Sequence, residues 1–257
     1  MKFSLGGLGC IGIAANWLVL FSPVSVSAAE IRFLCTDALE SSMHELIPAF
    51  EKASGHSVKI SVANAGTNAE RVRKEDAADL AFVLPPQWES LRQEGRIDAS
   101  TRVVIGKVGI GVFVKKGAAR PEINTTESFK RSVLAARAIG LRDPAARSPV
   151  GTYVLVLFER LGIAHDAKPK VILTMDRPYD TVLQGKADFG FSTLAEIAAT
   201  PEVELLGPLP SEIQNFNIFT TAIPVSAKET AAVKQFIDFL KTDHAIGVFK
   251  AKGIDVD

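Results

Sequence analysis

The chain has 257 residues, 47% of them hydrophobic and 23% charged, with 29 basic and 29 acidic side chains and a formal net charge of zero. That balance describes a globular chain with room for one or two cores and excludes the disordered and fibrous classes. A neutral chain sets up no field that would gather a phosphate backbone, so no nucleic-acid partner is expected.

Residues 1–29 read as a cleavable secretory signal. Lys2 is followed by an apolar run from Gly6 to Phe21, then by the small residues Val26-Ser27-Ala28 ahead of Ala29-Glu30. Pro23 and the polar residues after it cut the run short of the roughly 20 residues that a membrane span needs. Export to the periplasm follows. Cleavage removes Lys2 and no acid, leaving 28 basic and 29 acidic residues, so the mature chain stays nearly neutral. Cys10 is lost with the signal, which rules out a disulfide framework. Cys35, in the apolar run Ile31-Arg32-Phe33-Leu34-Cys35, reads as a buried structural thiol.

The mature chain alternates short apolar runs with helical spacing. Ile31 to Cys35 predicts a strand, and Leu39, Met43, Leu46, Ile47 and Phe50 then repeat on one helical face until Gly55. A strand over 58–63, a helix over 67–74, a strand over 79–84 and a helix over 87–94, opened by Pro85-Pro86 and closed by Gly95, complete half of a doubly wound sheet. Val108 to Lys115 has no internal turn signal and predicts a strand that carries the chain to a second lobe. There the pattern gives helix 128–136, strand 138–141, loop 142–149, helix 151–161, strand 171–174, helix 179–184, strand 189–192 and helix 194–199. A second extended crossing over 218–225 precedes terminal helices over 228–240 and 243–250. The expected fold class is α/β with two lobes, each a mostly parallel sheet with helices on both faces, joined by two crossing strands. Lobe 1 would be discontinuous, residues 30–112 and 221–257, and lobe 2 would span 113–220.

In such sheets ligands bind beyond the carboxyl ends of the strands, where helices begin. Four turns there are small or polar: Thr36-Asp37-Ala38, Asn64-Ala65-Gly66-Thr67-Asn68, Arg147-Ser148-Pro149-Val150-Gly151-Thr152 and Ser192-Thr193. Each offers unsatisfied amides and the positive end of a helix dipole, so together they suit a small anion. Arg147 and Arg177 would add charge-assisted contacts to a carboxylate or phosphate. The alternative for each turn is plain capping, which stabilises a helix by roughly 1 kcal/mol with no ligand; for each arginine it is a surface ion pair. Asp37 either caps its own helix or repels an anion. Tyr153 and Tyr179 either close the cleft or belong to the core.

Catalytic patterns are sparse. His44, His56, His165 and His244 are scattered, with no pair at metal-ligand spacing. No nucleophile elbow, phosphate-cradling loop with lysine, or Cys-x-x-Cys occurs in the mature chain. Asp143 and Asp188 make an unremarkable pair of carboxylates. No enzyme activity, metal or cofactor is expected.

The order of motifs resembles the periplasmic molybdate-binding proteins of ABC importers, which have the type II periplasmic-binding-protein fold. The resemblance lies in 39–52 (LESSMHELIPAFEK) with Gly55-His56, 63–71 (ANAGTNAER), 77–82, Trp88, Asp143-Pro144, 149–153, 184–190 (QGKADFG) and 236–241, and it covers nearly all of the mature chain. It implies two lobes that close on an oxyanion and deliver it to a permease in the inner membrane. It also implies a ligand held by serine hydroxyls on the first two strand-to-helix turns, by backbone amides and by a tyrosine in lobe 2. At those positions this chain has Ala38, Ala65 or its neighbour, and Thr193. Each oxyanion oxygen left unpaired would cost about 1–3 kcal/mol. Arg147 and Ser148 lie in a loop one residue longer than the family's, and Asp176-Arg177 follow Met175 where the family offers a backbone contact. Arginine suits a planar carboxylate better than a tetrahedral oxyanion. The expectation is a monomeric, divergent receptor for an organic carboxylate or other small anion. Its binding residues would be Thr36, Ala38, Asn64, Ala65, Gly66, Thr67, Arg147, Ser148, Val150, Gly151, Arg177 and Thr193. The alternatives are a molybdate or tungstate receptor, an exported enzyme on the same scaffold, and a ligand sensor.

Overall fold

The structure is a computed structural model that describes residues 1–2 and 28–256. The expected signal falls on residues that lie, from 3 to 27, outside the described ones. Among the described residues no helix is long and apolar enough to cross a membrane.

The first lobe opens with β1 (Glu30–Thr36), α1 (Glu40–Ser54), β2 (Ser57–Ala63), α2 (Ala65–Arg73), β3 (Leu80–Val83) and α3 (Pro85–Gln93). In α1 the predicted face of Met43, Leu46, Ile47 and Phe50 is buried. The helix stops at Gly55, whose φ of 75° is the left-handed conformation that glycine adopts without a Cβ penalty. β1 pairs in parallel with β2 and with β3, as a doubly wound sheet requires. The chain then enters β4 (Val104–Lys115), one strand shared by both lobes.

Lobe 2 holds α4 (Thr126–Ala135), β5 (Ile139–Arg142), α5 (Pro149–Arg160), α6 (Ala164–Ala167), β6 (Val171–Thr174), α7 (Tyr179–Leu183), β7 (Phe189–Thr193), α8 (Leu194–Ala198) and β8 (Val203–Pro208). The return is β9 (Phe216–Ala222), followed by α9 (Thr230–Phe239) and α10 (Asp243–Ala251). The strand order is β2-β1-β3-β9-β4-β7-β5-β6, with β8 beside β4. Residues 104–109 of β4 pair antiparallel with β9, and residues 110–113 pair antiparallel with β7, so the strand changes lobes between Gly109 and Ile110. Gln214 staples that point, since its side chain accepts from Ile110 N at 2.9 Å and donates to Ile110 O at 3.0 Å.

Two main cores sit on either side of this crossing. One gathers Phe33, Phe50, Phe82, Phe219, Phe236 and Phe249, the other Phe129, Phe158, Phe189 and Phe191. Most predicted elements form within a few residues of the expected bounds. β8 is an additional strand: only Val203 of its VELLGP is buried, and it pairs antiparallel with β4 across a register shift. The helix expected from residue 67 starts at Ala65, because Asn64 caps it by accepting from Thr67 N at 2.9 Å.

Candidate functional site

The carboxyl ends of β1, β2, β5 and β7 bring the predicted turns to one place. A cavity of about 40 Å³ lies between the lobes, lined by Thr36, Ala38, Asn64 and Ala65 from lobe 1 and by Ser148, Val150, Arg177 and Thr193 from lobe 2. Asp37, Arg142, Glu196 and Asn217 complete its polar wall. Its size is far below the roughly 300–1,000 Å³ usual for a ligand site, so the lobes are closed on one another. Larger hollows of about 590 and 520 Å³ open on either side of it and share its residues.

Two glycines allow the close approach. A Cβ on Gly151 would stand 2.0 Å from the carbonyl oxygen of Arg142, so only glycine lets the start of α5 lie against the end of β5. A Cβ on Gly66 would meet the Cβ and carbonyl oxygen of Arg147, each at 2.7 Å, where lobe 1 touches lobe 2. Neither glycine lines the central cavity; they set the distance between its walls. Thr67 faces the hollow beside it.

Arg147 departs from expectation. It takes a left-handed φ of 58° at the end of a short turn, its side chain is half exposed, and it pairs with Glu70 at 3.3 Å on the outer side. The cation that faces the cavity in its place is Arg142, the last residue of β5. Its Nη1 donates to Asp37 Oδ2 at 2.5 Å, and its Nε reaches Met175 O at 3.4 Å. Position supplied the signal for it, since ligands bind beyond the carboxyl ends of parallel strands and Arg142 stands at one such end.

Arg177 is held by three carboxylates. Its Nη2 donates to Glu40 Oε2 at 2.9 Å and stands 3.5 Å from Asp37 Oδ1, while its Nε lies 3.4 Å from Glu196 Oε1. Burial alone would lower its pKa, but the charge of Glu196, the hydrogen bond it donates to Glu40 and the charge of Asp37 outweigh burial and keep the guanidinium firmly protonated. Asp37 therefore makes its bonds across the cleft, where the sequence left capping and repulsion as the alternatives. Two guanidiniums thus face three carboxylates, those of Asp37, Glu40 and Glu196.

Glu196 is buried and satisfied within its own lobe. Its Oε2 accepts from Ser192 Oγ at 2.9 Å, Thr193 Oγ1 at 2.7 Å and Thr193 N at 3.2 Å. Thr193 thus spends its hydroxyl and amide on a capping box. Thr-x-x-Glu in 193–196 was the signal for this. Ser148 likewise caps α5, accepting from Gly151 N at 3.1 Å. Ala65 and Val150, in the first turns of α2 and α5, line the cavity, and helix geometry leaves their amides without an acceptor in their own helix. The hydroxyl of Thr36, a residue 3% exposed, has no partner among the described residues and lies in the cavity wall.

Tyr179 packs on Phe113 with ring centres 4.8 Å apart, and burial raises its phenol pKa, so it belongs to the core. Tyr153 donates its hydroxyl to Ile213 O at 2.8 Å. Burial also pushes up the Cys35 thiol, which keeps it unreactive. Asp188 pairs with Arg137, and Asp143 caps a short turn through Ala145 N, so neither carboxylate enters the cavity.

Comparison with known proteins matches this geometry to a family. A family model described as bacterial extracellular solute-binding protein matches residues 31–255. An aconitate isomerase of a Pseudomonas species is 24% identical over 256 residues, which cover 96% of this chain and 94% of that protein. A molybdate-binding protein of Escherichia coli (strain K12) is 23% identical over 258 residues, covering 95% of this chain and 100% of that protein. The periplasmic molybdate-binding protein of Azotobacter vinelandii superposes with a TM-score of 0.73 at 19% identity, covering 88% of this chain and 99% of that one.

Proposed function

The chain belongs to the bacterial extracellular solute-binding proteins, and from that premise we propose that it captures a small organic carboxylate between its lobes for an ABC permease. The protein is of the ABC-importer solute-binding type, a divergent relative of the molybdate-binding proteins with the type II periplasmic fold. The observation that carries the ligand reading is the placement of Arg142 and Arg177 on one face of the cleft. Both guanidiniums are occupied by lobe-1 carboxylates in the closed form. Asp37 and Glu40 thus stand where a ligand's carboxylate would stand. Guanidinium forks suit planar carboxylates, and the hydroxyls that would hold a tetrahedral oxyanion are absent at Ala38 and Ala65 or already used at Thr193. Entry requires the lobes to part about the β4 and β9 crossings, a hinge opening of the usual kind.

The test is titration calorimetry and thermal shift on the mature chain with mono-, di- and tricarboxylates, molybdate, tungstate and sulfate. A carboxylate at 100 times its Kd should stabilise the protein by about 2.7 kcal/mol. Substitution of Arg177 by Ala should abolish that gain. Tight binding of molybdate alone would sink the reading.

A second reading follows from Glu196. A buried carboxylate in the cavity wall, whose Oε1 lies 3.4 Å from a guanidinium, is placed to take a proton from one carbon of a bound carboxylate and return it to another, and one relative carries the name aconitate isomerase. Incubation with cis- or trans-aconitate, followed by chromatography, tests it: interconversion that is lost in Glu196→Gln supports an isomerase.

A further inference from the structure

We infer that the ligand carries a hydrogen-bond donor, a hydroxyl or an ammonium, on the carbon next to its carboxylate, and that Asp37 selects for it. The inference rests on the carboxylate-capture reading above.

Asp37 is the neighbour that both guanidiniums share. Its Oδ2 is 2.5 Å from Arg142 Nη1 and its Oδ1 is 3.5 Å from Arg177 Nη2, with its side chain 12% exposed. A carboxylate that takes these forks in a closed cleft therefore settles against Asp37. Two carboxylates competing for the same donors at low dielectric repel, and the cost falls when a donor bridges them. A donor on the adjacent carbon lies two bonds from the carboxylate carbon, the right span to reach Asp37 while the carboxylate stays on arginine.

Glu196 does not need that donor, because its Oε2 already accepts from Ser192 Oγ, Thr193 Oγ1 and Thr193 N. Asp37 has no comparable set within its own lobe and loses its arginines when a ligand takes them. The second observation is Thr36. Its hydroxyl is buried, unpartnered among the described residues, and set in the cavity wall one residue before Asp37. A hydroxyl oxygen both donates and accepts, so it can donate to a ligand hydroxyl that in turn donates to Asp37, or accept from a ligand ammonium. Fully ionised molybdate and sulfate offer acceptors only and would leave both groups unsatisfied.

The experiment is calorimetric titration of the mature chain at pH 7.5 with matched pairs: lactate against propionate, malate against succinate, alanine against propionate, and aspartate against succinate. The donor-bearing member of at least one pair should bind at least about 10-fold more tightly. Asp37→Ala should bring that pair within about threefold, chiefly by weakening the donor-bearing member. Asp37→Asn, which keeps the shape of the side chain, serves if the alanine variant folds poorly. The hydroxyl and ammonium arms distinguish a hydroxy acid from an amino acid. Equal or tighter binding of the plain members overturns the inference and leaves carboxylate capture standing. A preference that survives in both Asp37 variants also overturns it. Binding of oxyanions with no carboxylate bound at all overturns both.

Discussion

The two faces of the cleft are built with opposite signs, and two acids of lobe 1 show what that difference means. Asp79 is fully buried, and its carboxylate accepts from Arg32 N at 2.9 Å, Lys228 N at 2.9 Å and Glu229 N at 3.4 Å, all within its own lobe. Asp37 finds Arg142 and Arg177 only across the cleft. Parting the lobes costs Asp79 nothing and strips Asp37 of both partners. The first charge belongs to the fold, and the second depends on closure of the lobes.

Substitution offers the harshest test of this contrast. Asp79→Ala leaves three amides without their acceptor and unties α9 from β1, so stability to urea should fall by about 3 kcal/mol. Asp37→Ala should cost clearly less, about 1–2 kcal/mol, because the lobes can part and return the Arg142 and Arg177 guanidiniums to water, whereas the amides around Asp79 have no such escape. Equal losses would erase the distinction. Proton linkage sharpens it further. Burial alone would raise the Asp79 pKa, but the amides of Arg32, Lys228 and Glu229 and the Arg32 guanidinium bring it below the usual carboxylate range. A depressed folded-state pKa gives stability that is present above the unfolded value near 4 and disappears as pH falls through the folded one. The gap between the wild type and Asp79→Asn should therefore narrow steadily below about pH 4, as urea titrations at stepped pH would show.

The hinge supplies the next test. Gln214 bonds both backbone groups of Ile110 and also Leu209 O at 3.3 Å, at the point where β4 exchanges β9 for β7. Gln214→Ala should lower stability by about 1–2 kcal/mol, since it orphans the Ile110 amide while the Ile110 carbonyl keeps the Leu209 amide. Hydrogen exchange should quicken at Ile110 more than in either core. Uniform exchange across both lobes would show that the side chain is only one packing contact among many.

The sequence made the sheet and its helices legible because apolar periodicity reports burial, and residues such as Met43 and Phe50 on α1 or Phe189 and Phe191 on β7 are buried as their spacing predicts. β8 was not legible: Glu204 interrupts its apolar run and Leu205 is exposed, so no periodicity marks the strand. The turns at the cleft could be read from strand-to-helix boundaries, but their partners could not. Arg142 and Asp37 are 105 residues apart, and no local pattern states that they meet. Arg147 shows the converse. A cation in a polar turn satisfies every local criterion, yet its left-handed backbone directs it to Glu70 outside the cavity.

Asn64 permits the finest test, because its two side-chain atoms serve the two lobes separately. Its Oδ1 accepts from Thr67 N at 2.9 Å and caps α2, a bond internal to lobe 1. Its Nδ2 donates to Ala146 O at 2.6 Å, a bond that exists only while the lobes are closed. Asn64→Ala removes both and should cost about 1 kcal/mol, the usual value of a cap. Asn64→Asp keeps the acceptor, in a position the helix dipole favours, but sets a carboxylate against a carbonyl oxygen where a donor stood. Its thermal stability should therefore stay within about 0.5 kcal/mol of the wild type, while small-angle scattering of the ligand-free protein shows a larger radius of gyration. Should Asn64→Asp stay as compact as the wild type, closure rests on the arginine pairs alone and the amide across the seam is incidental.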